Sequence, residues 1–267
     1  MRAYTSYFRL RLRSGLTYRT AAWAGIVTQL FFGFVFLMIY EAFYRSGTGE
    51  QPISLPQLAV YVWLQQAFLA LIMLWYRDNE LFGLILNGNV AYELCRPVDL
   101  YGFWYARLLG QRLSAAALRC VPILLIAVFL PPPFRFGPPA SAGALAGFIA
   151  TMLLGLLIVV TLSMLIYVLT FLTMSPAGTA QVFAVVAEFL SGGIIAIPLM
   201  PEGLQKVLYA LPFAYTADLP FRVYSGHLPL SDLPGLLLRQ GAWLAVLAAI
   251  GAVTLRRILR RVVVQGG

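Results

Sequence analysis

Glu188 is the one carboxylate placed inside an apolar span of this chain, and it is the first candidate for chemistry. A charge at mid-helix costs on the order of 3 kcal/mol on insertion scales, so the side chain must face protein or water. Two roles fit it: a group lining a path or a subunit contact, and a protonated structural acid bonded to a neighbouring span. Catalysis asks for more. A membrane-embedded enzyme gathers His, Asp, Ser or Lys at one depth, whereas these spans offer Glu188 with scattered Ser and Thr. His227 is the single histidine, and Cys95 and Cys120 are the two cysteines, so neither a metal-ligand set nor a disulfide framework emerges. No G-x-x-x-x-G-K-[ST] loop cradles a nucleotide's phosphates, and the chain is not expected to hydrolyse ATP alone.

The second candidate is the stretch 78–112, DNELFGLILNGNVAYELCRPVDLYGFWYARLLGQR. Leu81, Phe82, Ile85 and Leu86 make an apolar patch beside Asp78 and Glu80. Asn87-Gly88-Asn89 marks a turn, with Asn89 as the N-cap of a short helix over Val90–Arg96 that Pro97 ends. Held between two spans, such a helix can press on a soluble partner, or it can rest on lipid. Composition leaves both readings open.

The elements that must position these groups follow from composition. Of 267 residues, 61% are hydrophobic and 11% charged, against roughly 25% charged in a soluble domain. So little polar surface makes the bilayer the solvent. The apolar runs are long and unbroken, which selects helices over the ten-residue alternating strands of a barrel. The pattern predicts an all-α integral membrane protein with spans at 21–43, 57–75, 113–130, 141–174, 180–197 and 236–255. Pro131-Pro132-Pro133 stops the third, and Ser175-Pro176-Ala177-Gly178 turns the fourth into the fifth. The apolar run at 21–40 is too long for a signal peptide and lacks an A-x-A site, so it reads as a retained span.

Residues 1–20 carry Tyr4, Tyr7, Phe8 and Leu12 on one helical face and Arg2, Arg9 and Arg13 on the other. That is the pattern of an interfacial helix, the alternative being an unstructured basic flank. Residues 198–233 hold Pro198, Pro201, Pro212, Pro220 and Pro229 with amphipathic pieces at Gly203–Leu211 and Tyr215–Tyr224, which predicts two short re-entrant helices. Gly143 and Gly147 form a small-xxx-small pair that would let helices approach closely.

Charge sets orientation. The net charge is +9, and 18 of the 19 basic residues are Arg. Fourteen Arg stand in three clusters, at 2–19, 77–119 and 256–261, against Asp78, Glu80, Glu93 and Asp99, a net of +10. The other side balances Arg45, Arg135, Lys206, Arg222 and Arg239 against five acids, and Glu188 in the membrane restores +9. The positive-inside rule then places both termini and the 78–112 loop in the cytoplasm. No folded polar domain is long enough to carry a nucleic-acid groove.

The run Ile85-Leu86-Asn87-Gly88-Asn89-Val90-Ala91-Tyr92-Glu93-Leu94-Cys95-Arg96-Pro97-Val98-Asp99 resembles the first cytoplasmic loop of ABC-2 type transporter permeases, in the group encoded as two permeases plus an ATPase. Ser191-Gly192-Gly193, Ile197-Pro198-Leu199, Pro201, Leu204-Gln205-Lys206, Leu211-Pro212-Phe213 and Tyr224-Ser225-Gly226 are similar to the end of span 5 and the extracellular hairpin of that family. The resemblance implies a coupling helix in the 2–3 loop, with Leu86, Asn89, Tyr92, Glu93, Arg96, Pro97 and Asp99 facing a cytoplasmic ABC ATPase subunit. It implies a second permease, identical or related, around a shared path, and ATP and Mg held by the ATPase with no cofactor on this chain. It also implies a bacterial cytoplasmic membrane and an exporter, and an apolar path with few charges fits amphiphilic or hydrophobic substrates. Gly192, Gly193, Pro198 and Pro212 would shape the outer hairpin. The competing classes are an ion-coupled secondary transporter, which carries several buried charges and matched helix breaks, and a membrane-embedded enzyme.

Overall fold

The computed structural model describes residues 2–17, 19–47 and 51–260, and their regular structure is entirely helical. In chain order the α-helices are α1 (Arg2–Thr17), α2 (Arg19–Ser46), α3 (Leu55–Ala67), α4 (Leu69–Ile72), α5 (Asn79–Leu86) and α6 (Val90–Leu94). They continue as α7 (Leu100–Val128), α8 (Ala142–Thr173), α9 (Pro176–Leu190), α10 (Glu202–Ala210), α11 (Asp218–Tyr224) and α12 (Leu233–Leu259). Among the described residues four helical stretches are long and apolar enough to cross a bilayer: Ala22–Ser46, Leu100–Val128, Ala142–Thr173 and Leu230–Leu259.

The expected second span is broken. α3 starts on a capping box, Ser54 with Gln57, and its residues Leu58–Ala67 are all buried. A helix that is apolar all round belongs in an interior, and α2, α7 and α11 surround this one. The helix stops at Phe68, resumes for the single turn of α4, and leaves helical geometry at Met73. Arg112 of α7 explains how that break survives burial. Its guanidinium donates to the carbonyls of Ala70 (2.9 Å), Met73 (2.8 Å) and Tyr76 (2.8 Å) and to Ser163 Oγ (3.0 Å). Carbonyls that would otherwise be orphaned at a helix end are thereby satisfied.

Other boundaries move for local reasons. α7 begins at Leu100, not Leu113, because Asp99 Oδ2 caps it by accepting from the Gly102 N–H at 2.8 Å; residues 100–112 are helix, not loop. α8 runs 32 residues, about 48 Å at 1.5 Å each, and ends on Met174 at φ 48°. Pro176 then opens α9 at its first position. α9 is 15 residues long, about 22 Å against a hydrocarbon core of about 30 Å. The expected fifth span is helical only to Leu190, and 191–196 is irregular. The hairpin contains the two expected short helices, α10 and α11.

α1 is the helix expected at the start of the chain, and it packs on α7. Its aromatic face meets α7: Tyr7 stacks on Phe103 at 4.1 Å, and Tyr4 Oη accepts from the Asp99 N–H at 2.9 Å. A Cβ at Gly110 would stand 2.9 Å from the Phe8 carbonyl oxygen, so the two backbones nearly touch. Arg9 and Arg13 lie on the exposed face. Gly143 and Gly147 also serve inside the chain, where Leu230 and Leu233 fill the space their missing side chains leave.

Candidate functional site

The loop between α4 and α7 is an elbow of two short helices anchored on a buried ion pair. Asp78 Oδ1 accepts from the N–H groups of Glu80 (2.9 Å) and Leu81 (3.4 Å) and so caps α5. Both carboxylate oxygens of Asp78 also receive Arg107, from Nε at 2.5 Å and from the second guanidinium nitrogen at 2.9 Å, with the two side chains 6% and 4% exposed. This is the bidentate geometry that makes such a pair strong. Arg107 further bonds Glu80 and donates to Tyr7 Oη at 3.1 Å, and Arg11 donates to Glu80 at 2.9 Å. Tyr167 of α8 accepts the Asp78 N–H at 2.7 Å. One polar network therefore pins α1, α5, α7 and α8 together. The hydrogen bond from Arg11, opposed by partial burial and aided by Arg107, holds the Glu80 carboxyl below its ordinary value.

From this anchor the elbow turns at Gly88, whose φ of 70° suits glycine. Asn89 occupies the N-cap position of α6 but makes no capping hydrogen bond with its side chain. α6 points in two directions. Glu93 faces inward, buried, where the indole N–H of Trp104 donates to it. Tyr92 faces outward at 75% exposure, in company with Leu86 and Leu94. Arg96 lies 4.0 Å from Glu93 and 5.5 Å from the Phe103 ring centroid. Asn89, Arg96, Pro97 and Asp99 are exposed, so of the seven expected contact residues Glu93 alone is withdrawn from the surface.

Along the second half of α3 the Gly192-Gly193 turn is bound from inside. Gly192 has φ 80°, and its carbonyl accepts from Tyr61 Oη at 3.2 Å. Gln65 Nε2 donates to the Gly193 carbonyl at 2.5 Å. Tyr61 Oη also donates to Asp218 Oδ1 at 3.3 Å, and Arg222 meets the other Asp218 oxygen at 3.2 Å while donating to Tyr209 Oη at 2.7 Å. Pro198 and Pro212 are buried. Glu188 is half-buried beside Gly193, and its carboxylate makes no hydrogen bond among the described residues. The structure does not join Glu188 to the elbow residues.

Reading the sequence missed Arg107 and Arg112, which were counted as orientation charges although both are buried. Asp78 offered a signal: an Asp directly before a helical apolar pattern is a cap signature. Asp218 and Arg222, at i and i+4 on α11, offered another.

No family model matches this chain, and neither does any curated protein sequence. Fold and composition define an all-helical protein with several helices suited to crossing a membrane.

Proposed function

We propose that this chain is the membrane-spanning permease subunit of an ATP-driven exporter, in which a separate ABC ATPase docks on the α5–α6 elbow. The observation that carries the reading is the two-sidedness of α6. Its inner side is tied to α7 through Glu93 and Trp104, while Tyr92 and Leu94 present apolar surface outward. A rigid arm with a free apolar face transmits a push from a soluble partner instead of dissipating it. The resemblance of residues 85–99 to ABC-2 coupling loops supports the same reading.

On this reading six segments cross the membrane, with α3–α4 and α9 as broken crossings shielded by protein, where irregular backbone is tolerated. Both termini and the elbow lie in the cytoplasm, and a second permease, identical or related, completes the path. ATP and Mg belong to the ATPase. The substrate is amphiphilic or hydrophobic, since the apolar helices supply few charges to recognise a polar one.

Copurification from the native membrane tests the proposal. An ATPase should accompany the chain, and Tyr92→Ala should release it while leaving thermal stability unchanged. Charge reversal at Arg96 serves the same purpose, whereas reversal at Glu93 would disturb the Trp104 contact first. If the ATPase is absent, or is retained at full occupancy by Tyr92→Ala and Leu94→Ala together, docking at this elbow is refuted. Ion-coupled secondary transport is the second reading, favoured by the buried Asp218–Arg222 pair. Transport by proteoliposomes that follows an imposed ion gradient without ATP would select it.

A further inference from the structure

Between α1, the first turns of α2 and the middle of α7 lies a cavity of about 350 Å3. Arg119 reaches it from α7, Arg11 and Ser14 from α1, and Ser114 from α7 again, while Asp78 and Glu80 close one end. The charges in this space do not balance. Asp78 is taken by Arg107, and Glu80 is shared by Arg107 and Arg11. Arg119 is left over. It has no hydrogen-bond or ion-pair partner among the described residues, and its Nε is buried with nothing to donate to.

Its position is fixed by the fold. Gly25 of α2 packs directly on the guanidinium, where a Cβ would stand 2.7 Å from Cζ. Along α7, Arg119 lies seven residues beyond Arg112, about 10 Å farther from the elbow. A guanidinium held at that depth is costly without a counter-charge. Its planar fork matches phosphate oxygens in pairs. Basic pockets between membrane helices take anionic headgroups on the same physical ground.

We infer that this cavity binds a phosphate group on Arg119, supplied either by the headgroup of an anionic phospholipid or by a free phosphate. The oxygens receive Arg119 from the inner side, and the exposed Ser14 marks the rim through which the group enters. The inference does not depend on an ATPase partner.

Native mass spectrometry of the purified chain in non-ionic detergent, with phosphatidylglycerol as the probe, provides the test. The wild type should retain one phosphatidylglycerol. Affinity should fall about tenfold or more in Arg119→Gln, and likewise in Ser14→Phe, which plugs the rim without touching a buried group. Arg13→Gln, on the exposed face of α1, should keep the wild-type affinity. Adducts that resist millimolar inorganic phosphate identify the lipid as the source, and adducts displaced by it identify the soluble anion; either result supports the site. Equal retention by wild type, Arg119→Gln and Ser14→Phe would overturn it, as would equal loss in Arg13→Gln. Should Arg119→Gln aggregate, the Ser14→Phe comparison decides alone.

Discussion

Removing Arg107 should be far more damaging than removing both charges of its pair. In Arg107→Met the Asp78 carboxylate, 6% exposed, keeps only the backbone N–H groups of Glu80 and Leu81. Stripping one partner from a buried ion pair costs about 3–5 kcal/mol. Asp78→Asn is gentler, because the amide oxygen still caps α5 and Arg107 still reaches Glu80; losing charge-assisted hydrogen bonds there costs about 1.5–3 kcal/mol. The double variant carries neither charge, keeps the cap and fills the guanidinium's volume with an apolar chain, so its cost should be about 2–3 kcal/mol. The two single costs would sum to about 4.5–8 kcal/mol, which leaves a coupling of at least about 1.5 kcal/mol. Unfolding by SDS titration in mixed micelles, read by tryptophan fluorescence, measures all corners of this cycle. Costs that add within about 0.5 kcal/mol would refute the pair as the anchor of the elbow.

Three further outcomes are expected. Gly192→Ala should cost about 2–4 kcal/mol in the same assay, since φ of 80° disfavours any side chain and the new Cβ would stand 2.6 Å from Tyr61 Oη; no change would mean the turn is not held as described. Glu80 has a depressed folded value, so its contribution is fully present above the ordinary value of 4.5 and is lost as pH falls through the lower folded one. Spin labels at Arg13 and Asn87 should therefore move apart only below pH 4.5, and a distance constant to strongly acidic pH would remove Glu80 from the α1 contact. Cys95 is exposed, and an impermeant thiol reagent should reach it in inverted vesicles but not in intact cells; the reverse pattern would invert the topology.

How much was legible in the sequence depended on whether a residue's role was local. The two hairpin helices α10 and α11, the turn at Gly88 and the stop before Pro176 follow from propensity and turn chemistry, which act over a few residues. The break at Phe68 was invisible because no Gly or Pro stands there. It is stabilised by Arg112, which lies 39 residues beyond Met73 in sequence. For the same reason Arg107 and Arg119 read as loop or flank charges, since nothing local distinguishes a buried arginine from an exposed one. The inward turn of Glu93 depends on Trp104, which the pattern does not reveal. Glu188 stands out in the sequence as an isolated charge in an apolar run, and its surroundings among the described residues supply no partner that would assign it a role.

The seam between α1 and α7 joins residues 95 to 100 positions apart, from Tyr4 with Asp99 to Tyr7 with Arg107. During synthesis the first helix therefore emerges long before its mate exists. Until then its aromatic side has no partner on α7 to pack against. None of the described α1 side chains is fully buried, so this helix is among the first to peel open under stress.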